Sequence, residues 1–153
     1  FESTTRLYKE ERLMTIQQEE QAIIDEFALF TDWMDKYEYI IDLGKNLPLA
    51  DESAKRDENL IKGCQSRVWL QCTLEDGKLR FKADSDAIIT KGIISLLIRV
   101  YDGHTPEEIL ASNLSFIEKI GLQENLSPTR ANGLLSMVNQ IKAYAMVFSK
   151  KEA

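Results

Sequence analysis

Apolar positions recur with a helical period from Thr15 onward: Ile16, Ile23, Phe27 and Phe30 follow at spacings of 7, 4 and 3, one stripe of an amphipathic helix. Thr31 and Asp32 offer an N-cap for a second helix. Trp33, Tyr37, Ile40, Ile41 and Gly44 carry its period to a stop at Leu47-Pro48. Between Ala50 and Asn59 the run Asp-Glu-Ser-Ala-Lys-Arg-Asp-Glu has no period and reads as a solvated loop. After Cys64 the period becomes two. Val68, Leu70, Cys72 and Leu74 alternate with Arg67, Trp69, Gln71 and Thr73, which predicts a strand with one apolar face. Asp76-Gly77 makes the turn, and Leu79, Phe81 and Ala83 alternate with Arg80 and Lys82 on the way back. A two-stranded hairpin is marginal alone, so a third strand is expected, with residues 59–63 its nearest candidate.

The second half returns to helices. Asp84-Ser85-Asp86 offers capping oxygens to a helix from Ala87 to Tyr101, whose Ile88, Ile89, Ile93, Ile94, Leu96, Leu97, Ile98 and Val100 surround most of its circumference. Such a helix is central and buried. Thr105-Pro106-Glu107-Glu108 is a capping box with Pro at the first helical position. Phe116, Ile117 and Ile120 mark a further short helix ended by Gly121, and Ser127-Pro128 opens the last one, with Leu134, Val138, Ile141, Ala145 and Phe148 on one stripe. Helices, a hairpin, then helices indicate an α+β fold and not a doubly wound parallel sheet.

Size and charge narrow the function. The 153 residues suit one domain, expected over 14–153, with 1–13 a leader or flexible arm ahead of the first Met, Met14. A formal net charge of −6 without a Lys/Arg cluster argues against duplex nucleic acid. The longest apolar run, 87–101, is broken by Lys91 and Arg99 and falls short of the ~20 residues a spanning helix needs. No membrane partner and a cytoplasmic setting are the expectations, and there cysteines are thiols.

The chain offers two cysteines, Cys64 and Cys72, and one histidine, His104. Three such groups cannot close a four-ligand Cys/His zinc site, and no dinucleotide, P-loop or zincin motif is present. Cys72 lies on the apolar face of its strand, as a small hydrophobe would. His104, in Asp-Gly-His-Thr-Pro, reads as a turn residue rather than a general base. Cys64 sits at a loop-to-strand junction between Lys62 and Arg67, and cations near a thiol lower its pKa. From the residues alone, a reactive and an incidental Cys64 both stand. Asp84 and Asp86 flank the helix start, where capping accounts for at least one of them; Arg130, a cation in a helical first turn, reads as a solvated side chain, though a carboxylate or a partner contact explains its placement better. Trp69 either packs under a helix or covers the thiol.

Four segments, in order, carry more than spacing. Ile61-Lys62-Gly63-Cys64-Gln65-Ser66-Arg67-Val68-Trp69 resembles the G-C-Q-S-x-V-W signature of the SufE family, sulfur acceptors for cysteine desulfurases. Trp33 with 37–44 resembles that family's W-x-x-K-Y-x-Y-I-I-x-L-G helix, 83–87 with Lys91-Gly92 its D-S-D-A…K-G segment, and 126–134 its L-x-P-x-R-x-x-G-L segment. The resemblance implies an α+β fold similar to that of iron–sulfur scaffold proteins. It implies Cys64 as persulfide acceptor, with Gly63, Gln65, Ser66, Arg67, Asp86 and Arg130 supporting the loop or meeting the partner. The implied partners are a desulfurase, which carries the PLP, and a downstream iron–sulfur scaffold; the chain itself binds no cofactor or metal, and a homodimer is allowed. Scaffolds use three cysteines, so a carrier is preferred here. The alternatives from other classes are a regulatory module of a desulfurase that takes no sulfur, and a thiol redox sensor, which lacks a nearby resolving cysteine.

Overall fold

The computed structural model describes residues 14–152, so the expected arm at 1–13 lies outside the described residues. Two amphipathic helices come first, α1 (Ile16–Phe27) and α2 (Trp33–Gly44). Thr15 caps α1 in a capping box with Gln18, and the Asp32 carboxylate caps α2 at the amides of Met34 and Asp35. The hairpin follows as β1 (Val68–Glu75) and β2 (Lys78–Ser85). Then come α3 (Ile88–Tyr101), α4 (Pro106–Ala111), α5 (Ser115–Lys119), α6 (Leu122–Asn125) and the long α7 (Pro128–Glu152).

The hairpin register, Val68 with Ser85 through Glu75 with Lys78, leaves Asp76 and Gly77 as a two-residue turn. Both have positive φ, 52° and 76°, as the tight turn between right-twisted strands requires. The sheet has two strands rather than about three. Residues 59–63 supply one bridge, Leu60 to Trp69, and the β2 edge is closed by bridges from Leu49 to Ala83 and His104 to Leu79. These flanking segments satisfy edge groups without extending as strands, and helix packing supplies the stability a third strand would have given.

The apolar face of the hairpin, with Val68, Leu70, Leu79, Phe81 and Ala83 buried, packs on α3. That helix buries ten of its fourteen residues, as its all-round hydrophobicity requires. α2 lies against α3 at a glycine crossing. A Cβ on Gly44 would approach the Gly92 amide nitrogen to 2.9 Å, and one on Gly92 would collide with the Ile40 carbonyl. This closeness seats the C-terminal half of α2 on the start of α3, and Tyr37 of α2 and Thr90 of α3 reach the site described below. On the other side, Arg99 of α3 pairs with Glu19 and Glu26 of α1, and Tyr39 donates to Glu26. The guanidinium holds the Glu26 carboxyl below the usual range. α7 packs by Leu134, Met137, Val138, Ile141 and Ala145, and its Tyr144 hydroxyl donates to the Leu70 carbonyl at 3.1 Å.

Two local expectations change. Residues 50–59 form two 3₁₀ turns, Glu52–Ala54 and Asp57–Asn59, with Ala50 and Ala54 buried. Lys55 reaches from there over the Trp69 ring, 5.6 Å from its centroid, and pairs with Asp84 at 2.7 Å. The segment is therefore pinned to the sheet at Ala54 and Lys55 while most of its side chains stay exposed, and the half-buried Trp69 ring lies under Lys55. Nor do Asp84 and Asp86 cap α3. Asp84 holds Lys55 and Lys91, and the N-cap residue Ala87 has no side-chain cap.

Candidate functional site

Cys64 stands on the loop between the Leu60 bridge and β1, and that loop is tied at both ends. At its start the Ile61 amide donates to the Val68 carbonyl at 2.9 Å. At its end the backbone of Arg67 is clasped: its amide donates to Asp86 Oδ1 at 3.0 Å, and its carbonyl accepts from Ser85 Oγ at 2.8 Å and from the Asp86 amide at 3.2 Å. Gly63 turns the chain with φ +94°, and any Cβ there would collide with Ser136 of α7. Glycine is required twice over at that point, for backbone and for space.

The thiol turns inward onto α7. Cys64 Sγ donates to the carbonyl of the buried Gly133 at 3.6 Å. A Cβ there would lie 3.5 Å from Sγ. Around the sulfur is a small cavity of about 60 Å³, lined by Gln65 and Ser66 of the loop, Thr90 and Ile93 of α3, and Thr129, Arg130 and Gly133 of α7. Arg130 Nη1 donates to the Tyr37 hydroxyl at 3.0 Å, bridging α2 and α7.

Cys64 is half-buried, and burial pushes its thiol pKa up. This overturns the expected lowering by Lys62 and Arg67. Proximity in sequence does not become proximity of charge, because the loop turns the sulfur to a carbonyl acceptor while both cations stay exposed. The structure thus shows a stored thiol rather than a resting thiolate.

The residues singled out by sequence divide into two sets. Cys64, Gln65, Ser66 and Arg130 line the cavity; Gly63, Arg67 and Asp86 shape the loop that carries the cysteine. Arg130 finds a phenol, not a carboxylate. Sequence reasoning misses Thr90, Thr129, Tyr37 and Ser85 as site residues; Tyr37 and Ser85 fall within the second and third motifs, while nothing in the local pattern marks Thr90 or Thr129. Gly133 is signalled only as the glycine of the fourth motif. Cys72 packs half-buried against the core, and burial, reinforced by the charge of Asp102, pushes its pKa up to about 12. His104 is buried, its backbone bridging Leu79 and its Nδ1 lying 3.5 Å from Glu108. Among the described residues no group of three His, Cys, Asp or Glu side chains is placed to hold a metal, and no helix is long and apolar enough to cross a membrane.

The Asp86 clasp makes a direct prediction. Asp86→Ala removes the acceptor for the Arg67 amide and frees the loop end. Iodoacetamide alkylation of Cys64 is then expected to speed up about three- to tenfold, the equivalent of one hydrogen bond of ~1 kcal/mol. An unchanged rate in a folded variant would mean that the clasp does not govern access.

The Fe-S metabolism associated domain of the SufE family matches residues 21–145. An uncharacterized SufE-like protein of Rhizobium meliloti is 43% identical over 128 residues, covering 80% of this chain and 91% of the relative. One of Rhizobium etli is 42% identical, covering 82% of this chain and 88% of its own length. A third, of Synechocystis, is 39% identical, with 82% and 79% covered. The solution structure of a hypothetical protein from Thermus thermophilus shares the fold, with a TM-score of 0.69 over 84% of this chain and 93% of that one, at 19% identity. With one such domain spanning the hairpin, the cysteine loop and most of α7, the chain belongs to the SufE family.

Proposed function

We propose that this protein accepts sulfur from a cysteine desulfurase on Cys64, stimulates that enzyme by clearing its product, and passes the sulfur on to iron–sulfur cluster assembly. The observation that carries the proposal is the single thiol held at the tip of a clamped loop, over a cavity walled by Gly133, Thr90 and Arg130. The PLP belongs to the desulfurase; this chain supplies the nucleophile and its housing.

The chemistry is a thiol–persulfide exchange. The Cys64 thiolate attacks the outer sulfur of the partner's cysteine persulfide; the Cys64 Sγ–S bond forms as the partner's S–S bond breaks, and the bonding pair leaves on the partner's sulfur as thiolate. The proton released from Cys64 goes to solvent or to the departing thiolate. No external oxidant or reductant is consumed, because the sulfur moves at constant oxidation state. The step needs a thiolate with access, and the resting thiol has neither in full. Docking must therefore free the thiol from Gly133, which breaks one weak S–H···O contact, and loosen the loop clasped at Arg67.

That same half-burial favours a second reading, a regulatory module whose cysteine never reacts. The two separate on mixing the protein with a desulfurase, PLP and cysteine. The acceptor predicts sulfur on Cys64 and faster turnover together; the regulatory module predicts faster turnover with Cys64 unmodified.

A further inference from the structure

We infer that the outer face of the hairpin carries a second binding site, a cleft that takes a short free peptide through both of its charged ends. The inference goes beyond the sulfur-acceptor role and does not depend on it. The cleft shares no lining residue with the cavity beside Cys64.

The strand register places the site. Gln71, Thr73 and Glu75 of β1 stand on the face turned away from the core, opposite Lys82, Arg80 and Lys78 of β2. Over them lies a cleft of about 620 Å³, walled on the β2 side by Pro48 and Asp102, from the segments whose Leu49 and His104 bridge to that strand. Such a volume lies within the ~300–1,000 Å³ of small-molecule sites. Three polar groups on this face have a free valence. Gln71 Oε1 is closed off from solvent, yet accepts no hydrogen bond among the described residues. A buried acceptor without a donor costs free energy until a ligand N–H supplies one. The Lys82 ammonium, beside Gln71 in the cross-strand pair, has no carboxylate within ion-pair distance among the described residues. The Glu75 carboxylate meets the Thr73 hydroxyl at 3.5 Å and no cation, although Lys78 stands opposite it. The remaining charges cancel. Arg80 pairs with Asp102 at 3.1 Å, and the other Asp102 oxygen accepts from the Phe81 amide at 2.8 Å.

These three groups define the ligand. Lys82 is level with Gln71, so its position and that of Glu75 are separated by about 13 Å of strand at ~3.3 Å per residue. An extended tripeptide is ~10 Å long, and the two flexible side chains close the difference. Its carboxylate meets Lys82 and its ammonium meets Glu75. The amide N–H next to the carboxylate donates to Gln71 Oε1 once that side chain turns into the cleft. A single amino acid is too short to reach both charges. A nucleotide or other polyanion would find as many carboxylates as cations lining the cleft.

The test is a titration of ¹⁵N-labelled protein with trialanine, followed by amide shifts in two-dimensional NMR spectra. Saturable shifts are expected at residues 71–75 and 80–82 and at the Gln71 side-chain amide. Gln71→Leu is expected to weaken binding about fivefold, the scale of one hydrogen bond, and to melt no lower than wild type, because it replaces a buried unpaired acceptor by an apolar group. Lys82→Gln is expected to weaken binding about two- to fivefold, the scale of one exposed ion pair, as is capping either end of the peptide in N-acetyl-trialanine or trialanine amide. Alanine alone should give no saturable shift. Absence of saturable shifts at this face up to the solubility limit of trialanine overturns the inference. So does equal affinity for N-acetyl-trialanine, which would assign the face to the tail of a longer chain, and so does equal affinity of wild type and both variants. If Gln71→Leu does not fold, Lys82→Gln, a change at an exposed side chain, carries the comparison, and unchanged affinity there overturns the inference.

Discussion

Gly92→Ala is expected to destabilise the protein by about 3 kcal/mol, lowering Tm by roughly 10 °C, although alanine is the better helix former by up to ~1 kcal/mol. The added methyl collides with the Ile40 carbonyl, which is backbone in the middle of α2 and cannot turn aside as a side chain would. Relief requires α2 and α3 to separate. That would strip packing from the most buried helix of the fold and move Tyr37 and Thr90 away from the cysteine cavity. Gly133→Ala is the control, since its methyl would meet Cys64 Sγ at an ordinary 3.5 Å and its helix would gain propensity. Thermal denaturation of the two variants should separate them in sign. Equal stability of Gly92→Ala and wild type would refute the close crossing of α2 and α3.

The second large effect is functional. Cys64→Ser is expected to abolish sulfur uptake from a desulfurase while leaving the fold intact, because a hydroxyl fits where the thiol sits and can still donate to Gly133. A serine hydroxyl is far less nucleophilic toward sulfur at neutral pH. Stimulation of desulfurase turnover should fall to background with it. Cys72→Ser is the contrasting change: Cys72 is packed against the core with its thiol pKa pushed up to about 12, so transfer should persist at near wild-type rates. Uptake that survives Cys64→Ser but not Cys72→Ser would reverse the assignment of the two cysteines.

The architecture is readable wherever a local rule decides it. The hairpin register follows from strict alternation on either side of Asp76-Gly77, whose positive φ values the turn demands. The Thr105–Glu108 capping box forms as its spacing requires. Other features depend on residues distant in the chain and leave no local mark. Asp86 has the form of a helix cap, yet its carboxylate serves an amide 19 positions earlier; only the folded course of the loop decides between the two. Asp84 is similarly drawn off by Lys55 and Lys91. The electrostatic setting of Cys64 is misread when neighbours in sequence are treated as neighbours in space. The charges of Lys62 and Arg67 face solvent, and what meets the sulfur is the Gly133 carbonyl, 69 residues away. The identity of Cys64 as the residue of interest comes from its motif rather than from any local signature of reactivity.

The central claim is that sulfur comes to rest on Cys64. The most direct measurement is the mass of the intact protein, followed by peptide mapping, after incubation with a cysteine desulfurase, PLP and cysteine and removal of small-molecule sulfide. The account predicts one added sulfur atom, located on Cys64 and removed by dithiothreitol. A chain that stays unmodified while desulfurase turnover rises, or sulfur found on Cys72, would contradict it.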